Sequence, residues 1–326
     1  MTVSQKLKMF ALIAVVLGAG VWGVLNCAAK YGQLFPPAVQ NEAAVSAQVN
    51  PDNTAAIESE TEQQKTDTEK QKENIGYVSV DDKMDNLQLK DAHTPVYDKY
   101  TLTERQKKGL TTALPAITPY KSAQKIAYLT FAGGPDAKNT PAALAVLREK
   151  KVSATFYVVG QAAKNHPDII KQIFADKHAL GNHCYEHNYK KLYPNKENFL
   201  ADLKRTDEII HGIIGVRPLI IRAPGGTPGH FTKEYPTMLK QNGYVEHDWN
   251  IDTGDATSKH STAATQLNTM LRQMKRDIAD DKMLIILMHL GAGKEETVKA
   301  LPQIIDTLKN MGYDFGVVTP MTPKPW

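Results

Sequence analysis

From Lys125 onward the chain alternates short apolar runs with longer segments in which apolar residues recur every three or four positions. The runs read as strands and the periodic segments as helices, because side chains alternate faces in a strand and return to one face of a helix about every 3.6 residues. Strands are expected at Ile126–Phe131, Ser153–Val159, His178–Asn182, Leu219–Arg222, Tyr244–Asp252, Met283–His289 and Phe315–Val318. Helices are expected at Thr140–Lys150, with Pro141 near its first turn, and at Pro167–Phe174, Lys196–Ile214, Tyr235–Asn242, Ala263–Ala279 and Thr297–Met311. Phe199, Leu203, Ile209 and Ile213 fall near one face of the Lys196 helix, which should bury. Repeated strand-then-helix units imply a parallel sheet covered by helices, an α/β fold whose closure gives a (β/α) barrel of about seven strands.

In such a barrel the chemistry collects where strands end. Ala132 follows the first strand, His183 the third, Arg222 and Asp252 close the fourth and fifth, and His289 closes the sixth. An open doubly wound sheet would also place ligands at strand ends, but Gly133-Gly134 is far short of a nucleotide-binding fingerprint.

The N-terminal third is different. Lys6 and Lys8 precede an unbroken apolar segment, Met9–Leu25, followed by Asn26-Cys27-Ala28-Ala29-Lys30. Residues 1–30 therefore read as an export signal or a single membrane anchor, near the lower limit of roughly 17–25 residues for a spanning helix. The small residues at 27–29 suit cleavage, and Asn26 argues against a lipidated Cys27. Either outcome puts everything after Lys30 outside the cytoplasm.

Residues 31–120 read as an extracytoplasmic linker, largely disordered. Between Gln40 and Lys72 there is no aromatic residue, and the Glu, Gln, Thr, Lys, Ala and Asp that dominate cannot offset ordering entropy by burial. Ile75–Tyr120 is mixed, with a short helix expected around Thr103–Leu110, and the globular domain occupies 121–326. Cys27 and Cys184 are the only cysteines in 326 residues, so no disulfide framework supports the exported domain. The formal net charge of +4 suits a polyanionic wall or lipid surface. No interleaving of basic and aromatic residues points to nucleic acid.

Four short motifs carry candidate chemistry. His183-Cys184-Tyr185-Glu186-His187 spaces two imidazoles so that one helical turn would aim both at a single divalent ion. Arg222-Ala223-Pro224-Gly225-Gly226, Trp249-Asn250-Ile251-Asp252-Thr253-Gly254-Asp255 and Leu287-Met288-His289 follow in order. An isolated histidine pair is more often a surface accident, but three companions at strand ends outweigh that reading.

Together these motifs resemble those of the polysaccharide deacetylases, carbohydrate esterase family four with the NodB-homology fold, over about Gln124–Thr319. The resemblance implies a distorted barrel holding one divalent metal, usually zinc, that removes acetyl groups from chitin-like glycan, peptidoglycan or xylan. It implies His183 and His187 as metal ligands, Arg222 as the group that orients the catalytic carboxylate, and His289 as the acid that protonates the leaving amine. Leu287 would line the acetyl pocket. Pro224, Gly226 and Trp249 would form the substrate-binding wall, and Asp252 and Asp255 would belong to the catalytic set. Gly225 and Ala256 stand where the family commonly has aromatic residues, which removes stacking surface for a sugar.

The first motif departs from the pattern. Thr130-Phe131-Ala132-Gly133-Gly134-Pro135 carries Ala132 and Gly133 where the family has the general base and the third metal ligand. Neither can accept a proton or bind a cation. Asp136, Cys184 and Glu186 are the nearest substitute donors, but Asp136 reads as a turn residue beside Lys138 and Cys184 as a buried thiol. The expected function is hydrolysis of N-acetyl groups on envelope glycan, impaired by two losses at one site. The alternative is a glycan-binding homologue that turns nothing over.

Overall fold

The computed structural model describes residues 76–87, 91–120, 124–256, 261–277 and 283–325. The expected signal or anchor, Cys27 and the expected linker up to residue 75 lie outside the described residues. Among the described residues no helix is long and apolar enough to cross a membrane.

Seven parallel strands form one curled sheet. In chain order they are β3 (Ile126–Gly134), β4 (Thr155–Val158), β5 (Ala179–Asn182), β7 (Ile220–Ile221), β8 (Val245–Glu246), β9 (Ile251–Asp252) and β10 (Met283–His289); their order across the sheet is β8-β7-β5-β4-β3-β10-β9. A further strand, β11 (Asp314–Gly316), pairs with the beginning of β3. The helices between them are α2 (Asn139–Lys150), α3 (Gly160–Asn165), α4 (Pro167–Ala175), α5 (Tyr189–Leu192), α6 (Lys196–Ile214), α7 (Glu234–Gln241), α8 (Ala263–Asp277) and α9 (Glu295–Asn310).

The expected single strand Tyr244–Asp252 is two, and the barrel does not close. β8 and β9 are opposite edges of the sheet, yet only His247–Asn250 joins them. That link spans at most roughly 18 Å when extended, so the sheet must curl to bring its edges within reach. The link changes partners midway: His247 N donates to Ile221 O on one edge, while Asn250 N donates to Ile285 O on the other at 3.2 Å. The Asn250 side chain adds two more bonds to β10, donating to Met283 O and accepting from Ile285 N. The result is a half-barrel.

Alternation along β3 and β10 separates two cores. Ala127, Leu129 and Phe131, with Leu284, Ile286 and Met288, pack outward against α2, α8 and α9. Tyr128 and Ala132, with Ile285 and Leu287, face inward with Tyr157 and Trp249. Gly181 admits the inward Tyr157 ring, because a Cβ there would stand 2.4 Å from Tyr157 Cδ1. Gly181→Ala is expected to destabilise the domain by about 1–3 kcal/mol, measurable by thermal denaturation.

Residues 76–120, read from sequence as the end of a linker, carry β1 (Val78–Val80), β2 (Val96–Asp98) and α1 (Leu102–Lys107). β1, β2 and β6 (Arg217–Pro218) form a small second sheet. Beneath it lies a fully buried ionic cluster. Asp98 receives Arg105 Nε at 2.6 Å and Arg217 Nη2 at 3.0 Å, and Arg217 also reaches Asp207 at 3.3 Å. Tyr244 donates its hydroxyl to Asp207 at 2.7 Å.

Candidate active site

Strand register builds the floor of the site. His289 at the end of β10 is the Cα partner of Ala132 on β3, and Ala132 is the partner of Tyr157 on β4. Leu287, two residues before His289, shares its inward face and is buried in the inner core. His289 is held by Asp255: Nδ1 lies 2.8 Å from Oδ1, and the His289 backbone N donates to Oδ2 at 2.7 Å. Thr297 also donates to Asp255 Oδ2, and Lys294 caps the Asp255 carbonyl. Asp255 accepts the Nδ1 proton, so Nε2 is the nitrogen left to face a reactant.

The two histidines of the second motif are brought together, but not on a helix. β5 ends at Asn182, and Cys184 takes a left-handed φ of +65° that a helical turn cannot contain. Asn182 fixes this loop. Its amide nitrogen donates to Leu203 O and Asp207 Oδ1 on α6, while its oxygen accepts from Cys184 N at 2.9 Å. The His183 and His187 rings sit 5.3 Å apart, centroid to centroid. His183 Nδ1 lies 2.8 Å from Arg222 O, which can only accept, so Nδ1 carries the proton and Nε2 keeps its lone pair. Burial, then repulsion from His187, pushes His183 down to about 3, and burial also lowers His187. The charge of His289 depresses both, so three imidazoles share one electrostatic neighbourhood.

Arg222 follows β7 and is fully buried, yet it has no carboxylate partner within ion-pair distance among the described residues. It does not meet Asp252 or Asp255. Its guanidinium donates instead to Thr130 Oγ1 at 2.7 Å, His247 O at 3.0 Å and Asp248 O at 3.0 Å. It stacks 4.3 Å above the Tyr157 ring and 5.6 Å from that of Trp249. Asp252 sits apart, at the end of β9, where its Oδ1 accepts from Gly254 N and burial raises its pKa. It shapes the turn that delivers Asp255.

The first loop lacks donors, as its residues dictate. Ala132 is buried, and Gly133 adopts φ +83° at a bulge in the β3–β4 pairing. A Cβ at Gly133 would meet only His289 Cδ2, at 3.9 Å, so the space before it is open. None of the substitutes enters that space. Asp136 Oδ1 caps the backbone of Lys138 and Asn139, and Glu186 pairs with Lys191. Cys184 is buried with Leu192 and Phe199, its thiol pushed well up by burial.

Among the described residues no three His, Cys, Asp or Glu side chains converge in a way that could hold a metal ion. Two imidazoles held neutral by burial, that of His183 with its Nε2 lone pair free, fit half of a zinc site. A catalytic zinc takes three protein ligands, and the set present does not supply the third.

Beyond the sequence motifs, the structure adds Tyr189 to this rim and gives Asn182, expected there as a strand-end residue, the task of holding the histidine loop. A buried Asn at a strand end and an aromatic two residues after a candidate ligand are weak signals in sequence. Tyr189 stands beside Gly225: a Cβ there would lie 2.7 Å from the Tyr189 hydroxyl oxygen. Pro224 accepts the Tyr193 hydroxyl at 2.7 Å, and Gly226, at φ +81°, lets Trp249 approach the turn.

A curled parallel α/β sheet, with imidazoles, a buried arginine and a histidine–carboxylate pair at its strand ends, has the fold and rim of the carbohydrate esterases. Comparison with known proteins agrees. Residues 120–247 match the family described as polysaccharide deacetylase. The chain is 33% identical over 195 residues to a peptidoglycan-N-acetylglucosamine deacetylase of Bacillus cereus, covering 59% of this chain and 68% of that one. It is 30% identical over 201 residues to the putative polysaccharide deacetylase YheN of Bacillus subtilis, covering 62% and 70%. The crystal structure of the Bacillus cereus polysaccharide deacetylase Bc1974 superposes with a TM-score of 0.55 at 31% identity, covering 60% of this chain and 92% of that one. The chain belongs to the polysaccharide deacetylase family.

Proposed function

We propose that this protein acts outside the cytoplasm on N-acetylated cell-wall glycan, with peptidoglycan the first candidate, and that its hydrolysis of the acetamide is severely impaired. The observation that carries this reading is the intact His289–Asp255 pair, in register with a residue that has no functional group. Relatives named as peptidoglycan-N-acetylglucosamine and chitooligosaccharide deacetylases support the substrate class. The Lys-flanked apolar segment Met9–Leu25 supports export or anchoring.

In this reading Leu287 borders the acetyl methyl, and the His289 imidazole, oriented by Asp255, delivers a proton from Nε2 to the leaving nitrogen. Arg222 and the Pro224–Gly226 turn fix the wall opposite. His183 and His187 are the groups here suited to meet a divalent metal, and they are too few to hold it tightly. No residue at position 132 removes a proton from the attacking water, and a general base contributes about 10²–10⁴-fold.

The full chain, incubated with zinc or cobalt and acetylated chito-oligosaccharide or peptidoglycan, is expected to release acetate slowly. His289→Ala is expected to reduce that release about 100-fold, followed by enzymatic acetate assay. Slow release unaffected by His289→Ala would sink the hydrolase reading. The missing base favours a second reading, a glycan-binding protein without turnover, and its signature is retained binding with no acetate released.

A further inference from the structure

Tyr189 is one of only two large hydrophobic side chains exposed among the described residues, at 41%. Single exposed aromatics are ordinary, but this one is braced and sits at the rim of the site. Its ring meets His187 edge-on at 5.3 Å and 72°. Behind it His230 lies at 5.3 Å, and His230 is stacked face to face on Tyr193 at 4.3 Å and 10°. Tyr193 is tied in turn to the Pro224 carbonyl. The Tyr189 hydroxyl and His230 Nε2 lie 2.7 and 3.1 Å from where a Cβ on Gly225 would stand, so a side chain at 225 and this placement of Tyr189 exclude each other.

We infer that Tyr189 is the sugar-stacking platform of this protein, taking the place of a wall that Gly225 cannot provide. Its ligand is the pyranose ring next to the unit whose acetamide reaches the histidines; the inference rests on the glycan-binding reading proposed above. A pyranose presents an apolar face of C–H groups edged with hydroxyls. A tyrosine held by aromatic neighbours offers a flat apolar face with a hydroxyl at its edge, and loses little rotamer freedom on contact. The backing by His230 and Tyr193 holds that face in place, which an unsupported surface aromatic would lack.

The test is calorimetric titration of the full chain with fully acetylated chitotetraose. Tyr189→Ala is expected to weaken binding about tenfold, and Tyr189→Phe to stay within about twofold of wild type. Tyr189→Leu keeps apolar volume without a flat face and should behave like the alanine variant. Melting temperatures of the three should stay close to wild type, since the side chain is only partly buried against its aromatic neighbours. Wild-type affinity in Tyr189→Ala overturns this inference and leaves the proposed function standing. A Phe variant as weak as Ala also overturns it, because the hydroxyl rather than the ring face would then be the contact. A wild-type chain that binds neither chitotetraose nor a soluble peptidoglycan fragment sinks the function reading and this inference together.

Discussion

Ala132→Asp is expected to raise acetate release by about 10²–10⁴-fold over the wild-type chain. The new carboxylate would project from the inward face of β3, beside its register partner His289. It would also enter the neighbourhood of Arg222, a fully buried guanidinium that now satisfies itself on a threonine and two carbonyls. A buried cation favours the ionised form of a carboxyl placed near it, so the introduced aspartate should be charged and able to accept a proton at neutral pH. Ala132→Asn provides the same shape without basicity and should give no gain. Acetate assay of the two variants with zinc present decides the matter, and equal rates would mean that the missing base is not what limits turnover. Gly133→Asp is the weaker repair. The open space before Gly133 would accept the side chain, but its φ of +83° would not, at a cost of about 1–2 kcal/mol.

Asp98→Ala is expected to destabilise the domain by about 3–5 kcal/mol, because it strips two fully buried guanidinium groups of their shared counter-charge. Arg105 would keep its bonds to the carbonyls of Asp81, Asp82 and Thr111, so the positive charge would stay trapped. Asp207, the other carboxylate of the cluster, reaches Arg217 but makes no ion pair with Arg105, so it cannot replace the shared partner. Thermal denaturation should show a fall of about 10 °C for a domain of this size. An exposed pair such as Lys138–Glu295 offers the control, since solvent screening leaves such a pair little net effect on stability. A shift for Asp98→Ala no larger than that control would show that the cluster contributes little net stability.

Much of the fold was legible because its signals are periodic. Met283–His289 and Lys196–Ile214 form at the expected boundaries, one a pure apolar run and the other a long helix opened by the Asn195 cap and ended by Gly215 at φ +77°. The run Tyr244–Asp252 misled because hydrophobicity records burial and not partner: the same apolar stretch serves two opposite edges. The histidine spacing misled in a similar way. Four residues bring two side chains together on a helix, and here a left-handed Cys184 brings them together in a loop. The apolar residues of segment 76–120 follow no strand or helix period, so periodicity could not announce an order that rests on buried charge and on Leu87, Tyr97 and Leu102. The pairing of His289 with Asp255 depends on strand register, which periodicity does not encode. Arg222 illustrates the limit from the other side: its position at a strand end was readable, its partners were not.

The four-residue link between β8 and β9 acts as a chord drawn across an open arc. The gap between the two sheet edges can be no wider than that chord allows, and the link carries Trp249, which packs on the inner core. Edge spacing and inner packing thus meet in one short stretch of chain. Lengthening it by a single residue would slacken the arc by up to about 3.5 Å, so the curvature of the sheet is written into His247–Asn250.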